Sequence, residues 1–178
     1  IYKNIKQKKE FNSYVMYTSR PMREEEIDGI TYNFISEQEM NKYIDGNKES
    51  KVIEYRTYQT VHGPWTYATI NDEQFKTNQD MIMLGTLESY IKVKEYFKNK
   101  TDIEIIPVYI EVPDNIRLKR AIEREEKEKT PKYLELCRRF IADSQDFSED
   151  NLKNAGIERR FQNINLDECI EEIMMHIN

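Results

Sequence analysis

The sequence lacks the features of a membrane protein and of a nucleic-acid-binding protein. No apolar run approaches the ~20 residues that cross a bilayer, and no apolar leader-like segment stands at the start. Lysine and arginine number 27 against 33 aspartates and glutamates, a formal net charge of -6, so no overall positive field attracts a polyanion. We therefore expect a cytoplasmic protein with no membrane or nucleic-acid partner, in which any phosphate site is a local cluster.

Cysteine and histidine are also scarce. Cys137 and Cys169 both lie in stretches with helical apolar spacing, where a thiol usually packs as a small hydrophobic group. His62 and His176 are far apart and have no ligand-like pattern around them, which disfavours a structural zinc site. The sequence predicts neither a disulfide nor a metal site made of protein side chains.

What is present suffices for one compact α/β domain. The chain has 178 residues, among them 12 tyrosines and 7 phenylalanines, and its aliphatic runs are regularly spaced, so it can bury a core despite a charged fraction of 34%. Val52 to Tyr58 and the apolar runs 80–84 and 103–112 predict strands. Helical spacing predicts helices over Leu87–Phe97, 114–128 and Leu166–Ile177.

Further signals locate helix starts. Ser36 with Glu39 three residues later is a capping-box pattern. Thr130 followed by Pro131 predicts the start of a helix with Leu134, Cys137, Phe140 and Ile141 on one side. The alternation of strands and helices indicates a parallel α/β sheet, with an irregular, antiparallel-looking insert between about residues 30 and 70.

The segment 18–34 reads TSRPMREEEIDGITYNF. Two arginines three residues apart, Arg20 and Arg23, can converge on one phosphate with several charge-assisted donors, and Tyr32 adds a hydroxyl. The alternative is that both arginines neutralise the glutamates at 24–26 on the surface. The segment resembles the guanylate kinase pattern T-[TS]-R-x-x-R-x-x-E-x-x-G-x-x-Y-x-F with every spacing kept, which favours a monophosphate clamp.

Further positions match the family in order. Val52-Ile53-Glu54-Tyr55 resembles the strand whose glutamate accepts hydrogen bonds from the guanine N–H groups, and the alternative for Glu54 is an exposed strand residue. Tyr67-Ala68-Thr69 resembles Tyr-Gly-[ST], in which the tyrosine reaches the monophosphate and the hydroxyl approaches guanine O6. The spacing from Glu54 to Tyr67 is longer than in the family, so the loop through His62 carries an insertion.

The second half resembles the lid and adenine site of the family. The resemblance implies that Arg120, Arg124 and Arg139 act on the transferring phosphoryl group, with Arg138 as the alternative register for Arg139. For any one of these arginines, a solvated salt bridge on a Glu-rich helix is equally compatible with the sequence. Phe161-Gln162-Asn163 resembles Val-Asn-Asp at a strand end, which places Asn163 near the adenine.

Some positions depart from the family. Its I-L-D-x-D-x-Q-G stretch aligns with residues 82–89, where Leu84 and Thr86 replace both aspartates. Thr86 and Glu88 are the alternatives that would substitute through a water or a shifted register, and Thr86 is the candidate for the second guanine contact. Met16 replaces the serine four residues before Arg20. The sequence also contains no G-x-x-x-x-G-K-[ST] phosphate-binding loop, and because the count from Ile1 to Arg20 nearly matches the family, we expect this loop upstream of Ile1 in the native protein.

The resemblance implies a P-loop kinase-type parallel sheet with flanking helices in one domain over 1–178. Within it lie a mixed-sheet monophosphate-binding insert at about 17–75 and a helical lid at about 120–142. The implied activity is phosphoryl transfer from ATP, with Mg²⁺, to a nucleoside monophosphate, most simply GMP. Two alternatives stay open: a non-catalytic module that binds a phosphorylated peptide or partner, and a kinase for another nucleoside monophosphate. The sequence does not indicate the oligomeric state.

Overall fold

The computed structural model describes residues 1–46, 51–60, 63–75, 79–100 and 103–177. Its helices are α1 Tyr2–Lys8, α2 Glu37–Ile44, α3 Leu87–Phe97, α4 Asp114–Glu125, α5 Tyr133–Asp146, α6 Glu149–Asn154 and α7 Leu166–Ile177, with a 3₁₀ turn at Glu73–Phe75. Its strands are β1 Asn12–Ser13, β2 Tyr17–Thr18, β3 Asn33–Phe34, β4 Val52–Thr60, β5 Gly63–Ile70, β6 Met81–Ile82, β7 Tyr109–Glu111 and β8 Arg160–Gln162.

The chain divides into two compact units. The first consists of Ile1–Lys9 and Glu104–Asn178, and the second is Glu10–Ile103. The prediction of a single domain over 1–178, with an insert at 17–75 and a lid at 120–142, stays a prediction.

The second unit contains a four-stranded mixed sheet in the order β3-β2-β5-β4. β5 pairs antiparallel with β4 and β2, whereas β2 pairs parallel with β3. This sheet contains the antiparallel pairing expected between residues 30 and 70. One face of β5 presents Ala68 and Ile70, which are buried with Met40 of α2. Alternate residues of a strand point to opposite faces, so Tyr67 and Thr69 lie on the other face.

One local signal in this unit, the capping box, acts as the sequence predicts. Ser36 caps α2 in a complete capping box with Glu39. β1 pairs parallel with β6, and Thr86 caps α3 by accepting from the Ser89 N–H. The Tyr14 hydroxyl donates to the Ile70 carbonyl at 2.9 Å and accepts from the Ile70 N–H at 2.7 Å, and burial raises the pKa of Tyr14. These bonds attach the chain before β2 to the end of β5.

The first unit packs α7 against a parallel pair of strands. β7 pairs parallel with β8, and Phe161 in β8 is fully buried. The buried side of α7 consists of Cys169, Ile170 and Ile173, whose spacing is that of one helical face. α7 has the bounds that the sequence predicts.

Two predictions in this unit are wrong in extent. The run 103–112 is a strand only over Tyr109–Glu111; it contains Pro107, which has no N–H for a sheet ladder. The helix predicted over 114–128 ends at Glu125. In both cases the apolar or helical sequence pattern continues beyond the residues that form the backbone hydrogen bonds of the strand or helix.

The helix predicted from Thr130 begins instead at Tyr133, after Lys132. Its predicted apolar side is also wrong, because Leu136 is the buried residue while Leu134 is 89% exposed and Ile141 is 57% exposed. Cys137 is exposed, unlike the buried Cys169. Spacing identifies a helix here, but it does not identify the side that is covered.

In the described parts of the chain, no helix is long and apolar enough to cross a membrane. The same residues contain no group of three or more histidine, cysteine, aspartate or glutamate side chains that could hold a metal ion.

Candidate functional site

Arg20 lies two residues after the end of β2 and is 4% exposed. Its guanidinium makes two parallel hydrogen bonds to the Glu26 carboxylate, Nη1 to Oε2 at 2.9 Å and Nη2 to Oε1 at 2.6 Å. Nη1 also donates to the Pro21 carbonyl at 2.7 Å. The bond to Glu26 raises the pKa of Arg20, and the bond to Arg20 lowers the pKa of Glu26. Arg20 is therefore a fixed, charged group and not a mobile surface side chain.

Aromatic side chains surround this arginine. The Arg20 guanidinium carbon lies 5.6 Å from the centre of the Tyr32 ring and 5.5 Å from that of Phe34. The Tyr32 and Tyr67 rings are 5.7 Å apart in an edge-to-face arrangement, and the Tyr67 side chain contributes to the raised pKa of Arg20. Burial raises the pKa of Tyr32.

Arg23 differs from Arg20. It is exposed, and its backbone N–H donates to Glu26 Oε2 at 2.7 Å. Glu26 therefore connects the two arginines, through the side chain of one and the backbone of the other. The alternative that the arginines neutralise the glutamates at 24–26 is correct for the Arg20–Glu26 pair. The two side chains are 4% and 13% exposed, so Arg20 is buried and Glu26 is partly buried, unlike a surface ion pair.

Glu54 on β4 is the second buried charge on this side of the sheet. Its Oε1 accepts hydrogen bonds from the Thr69 and Ser89 hydroxyls, both at 2.9 Å. Among the described residues, its Oε2 is buried and has no hydrogen-bond partner. The alternative interpretation of Glu54 as an exposed strand residue is wrong, because the residue is 3% exposed.

Arg56 completes this cluster. Its Nε lies 3.4 Å from Glu54 Oε2, a close ion pair, and its Nη1 donates to the Thr86 hydroxyl at 2.6 Å. Thr86 therefore contacts a cation here. Leu84, the other position where the family pattern has aspartate, is 64% exposed.

The register of β4 and β5 places the two clusters next to each other. Glu54 pairs with Thr69, and Arg56 pairs with Tyr67. Tyr67 belongs to the cluster around Arg20 and Thr69 to the cluster around Glu54, and positions two apart on a strand are separated by about 7 Å on one face. One cluster can thus receive an anion while the other receives a polar ring next to it.

In the first unit, the structure brings together two of the four residues assigned to the phosphate donor. Arg120 on α4 donates to the Asn163 carbonyl at 2.8 Å and to the Ile164 carbonyl at 3.0 Å, where β8 ends. Arg139 on α5 is 57% exposed and lies 3.7 Å from Glu125. Arg124 is exposed, and Arg138 makes hydrogen bonds to Glu135.

Sequence reasoning missed Arg56 and Ser89 as members of the site. A signal was available for Arg56, since it stands two residues after Glu54 and a strand places such residues on one face. Ser89 lies three residues after Thr86, a spacing that follows from helix capping. Only the packing of α3 against β4 brings Ser89 to Glu54.

The fold is a mixed α/β architecture with parallel strand pairs. A solved guanylate kinase structure from Anaplasma phagocytophilum shares it, with a TM-score of 0.60 and 14% identity over 99% of this chain and 78% of that chain. The family model described as guanylate kinase matches residues 4–173. The chain belongs to the guanylate kinase family.

Curated relatives of this chain are guanylate kinases. The chain is 33% identical over 113 residues to a guanylate kinase of Clostridium tetani, which is 63% of this chain and 52% of that protein. It is 26% identical over 130 residues to a guanylate kinase of Cutibacterium acnes, which is 73% of this chain and 63% of that protein. The chain thus spans about half to two thirds of the length of these relatives.

Proposed function

We propose that the full-length protein transfers a phosphoryl group from ATP to a nucleoside monophosphate, and that its main acceptor is GMP. The observation that carries the proposal is that Tyr67, which belongs to the cluster around the buried Arg20, lies two residues from Thr69, the strand partner of the buried Glu54. A nucleoside monophosphate carries a phosphate at one end and a hydrogen-bonding ring at the other, so it matches both clusters at once. Family membership supports the same activity.

In this proposal the second unit binds the acceptor. Arg20 and Arg23 bind the monophosphate, with the Tyr32 and Tyr67 hydroxyls as neutral donors. Glu26 holds the Arg20 fork in place before the nucleotide arrives, so little side-chain entropy is lost on binding. Glu54 accepts from the N–H edge of guanine through Oε2, and Thr69 and Ser89 hold its Oε1.

ATP is the proposed phosphate donor. Arg120, Arg124 and Arg139 would stabilise charge on the transferring group, and Asn163 would lie near the adenine. An oxygen of the acceptor phosphate attacks the γ-phosphorus of ATP, the bond to the β–γ bridging oxygen breaks, and ADP leaves. Most of the catalytic effect in such reactions comes from position and charge.

Mg²⁺ accompanies ATP in this class of reaction and neutralises charge on its phosphates. The described residues offer no cluster of carboxylates or histidines that fits a metal ion, and we assign no step to residues of this chain that would bind one. The cytoplasmic location expected from the sequence belongs to the same proposal.

The non-catalytic module is the second candidate. The Arg20 clamp would also bind the phosphate of a phosphorylated peptide. Such a peptide has no ring N–H groups that would donate to the buried Glu54 carboxylate next to the clamp. That carboxylate favours a nucleotide as the ligand.

The decisive experiment measures ATP-dependent formation of GDP from GMP by the full-length protein. We expect turnover with GMP, and we expect it to fall strongly in Arg20→Ala and to persist in Lys98→Ala, since Lys98 is an exposed residue paired with Glu95. Binding of a phosphorylated peptide without any turnover of a nucleoside monophosphate would contradict the proposal and favour the module.

A further inference from the structure

The hydroxyl of Thr69 has already used its proton. It donates to Glu54 Oε1 at 2.9 Å in a fully buried position, and a hydroxyl has one O–H to donate. Ser89 also directs its proton to Glu54 Oε1. The two hydroxyls beside Glu54 are therefore acceptors toward any further ligand, and a base carbonyl in this pocket needs its donor from another side chain.

Arg56 carries N–H donors beside Glu54. Its Nη1 bonds the Thr86 hydroxyl at 2.6 Å, which fixes the plane of the guanidinium. Its Nε is buried and, within the described chain, makes no hydrogen bond, although Glu54 Oε2 lies 3.4 Å away. Glu54 Oε2 is likewise buried without a hydrogen bond. The buried acceptor and the buried donor thus form an ion pair with each other, and neither makes a hydrogen bond within the described chain.

We propose that Arg56 is the residue that determines base specificity, and that it reads a ring carbonyl while Glu54 reads the adjacent ring N–H. This inference rests on the nucleotide-binding function proposed above. The pair recognises a lactam edge, an N–H next to a C=O, as found on the six-membered ring of guanine and of hypoxanthine. Adenine carries an amine in place of that carbonyl, and the amine would set a donor against the Arg56 donor.

The same contacts weaken recognition of the exocyclic amine of guanine. A carboxylate without a neighbouring cation can accept from two ring donors, but Glu54 Oε2 is shared with Arg56. Thr86 adds no carboxylate, and its oxygen accepts from Arg56 and from the Ser89 N–H. The site therefore depends on the lactam and little on the amine, so inosine monophosphate, which lacks the amine, is a ligand comparable to GMP.

Calorimetric titration of the full-length protein with GMP, inosine monophosphate and AMP tests this inference. We expect the Kd for inosine monophosphate to lie within about tenfold of that for GMP, because a site that hydrogen-bonds the amine would reject the analogue by ~10⁴. AMP should bind more weakly than either. The matched control is Lys98→Met, which removes an exposed positive charge from the end of α3 and should change no ratio.

Titrations of the variants Arg56→Met and Arg56→Lys test whether the Arg56 guanidinium is the group that binds the ring carbonyl. Both should raise the Kd for inosine monophosphate by roughly 10- to 100-fold and that for GMP by less, since guanine retains a second donor for the freed carboxylate. Arg56→Lys keeps the charge beside Glu54, so it maintains the fold if Arg56→Met does not.

Two outcomes overturn the inference alone: GMP binding more than tenfold tighter than inosine monophosphate in the wild type, or an unchanged ratio in Arg56→Lys. Failure of GMP itself to bind overturns the proposed function as well, so the two failures are distinguishable.

Discussion

Arg20 and Glu26 form a two-pronged ion pair, with the guanidinium nitrogens 2.9 and 2.6 Å from the carboxylate oxygens, and both side chains are largely buried. Glu26 also receives the backbone N–H of Arg23. The carboxylate therefore holds the segment 20–26 in one conformation. Because the pair is buried, changes to either partner should affect stability as well as ligand binding.

The two clamp arginines should respond differently to truncation. Arg20→Ala removes both guanidinium bonds from the Glu26 carboxylate, which retains the Arg23 N–H, so it should lower the free energy of unfolding by about 2 kcal/mol and also weaken GMP binding. Arg23→Ala removes an exposed side chain, so stability should change by less than about 0.5 kcal/mol while GMP binding weakens by about 2 kcal/mol. Thermal melts and calorimetry separate the two effects. Unchanged GMP affinity in both variants would assign the arginines to a structural role.

The Arg20–Glu26 pair should make stability depend on acid pH. The pair lowers the pKa of Glu26, so its stabilisation is fully present above the ordinary range of a glutamate, about 4.3, and is lost as the pH falls through the lowered value. Glu26→Gln should therefore be less stable than the wild type at pH 7, and the difference should shrink below about pH 4. Glu24→Gln, an exposed neighbour, is the control. A difference that is constant with pH would exclude the linkage.

Glu54→Gln should change the ranking of bases. The amide oxygen still accepts from Thr69 and Ser89, but an NH₂ group replaces the Oε2 acceptor and faces the guanine N–H. We expect GMP binding to weaken by about 2 kcal/mol and the GMP preference over AMP to fall. The preference is measured as the turnover of GMP, dGMP, AMP, CMP and UMP by the full-length protein and by the variant. A ranking unaltered by the substitution, or AMP as the better substrate of the wild type, would disprove guanine recognition by Glu54.

Arg120→Ala should affect both stability and the use of ATP. Its loss removes two charge-assisted bonds to the carbonyls of Asn163 and Ile164, which should cost about 2 kcal/mol of stability and raise the KM for ATP. Arg124→Ala removes an exposed side chain and should lower kcat with little change in stability. Equal melting temperatures for Arg120→Ala and the wild type would contradict the first expectation, and unchanged kinetics of both would place these arginines outside the donor site.

Much of the candidate site was predictable because its residues keep the order of the guanylate kinase motifs that the sequence resembles. In the structure Glu54 pairs with Thr69, and the period of two along β5 keeps Tyr67 on the same face as Thr69. Arg20 and Tyr32, which belong to one sequence motif, are also close in space, since the Tyr32 ring centre lies 5.6 Å from the Arg20 guanidinium carbon. The sequence thus determined the fold class, the bounds of α3 and α7, the capping box of α2 and the candidates for the acceptor site.

The tertiary structure decided which of these groups have partners. The covered side of α5, with Leu136 buried and Leu134 exposed, depends on neighbours that spacing does not specify. The same holds for Glu54, whose hydrogen bond from Ser89 and ion pair with Arg56 arise only when α3 packs against β4. Local periodicity fixes the direction of a side chain, whereas burial and pairing depend on residues far away in sequence, and these control the charge and the remaining hydrogen-bonding capacity of the site.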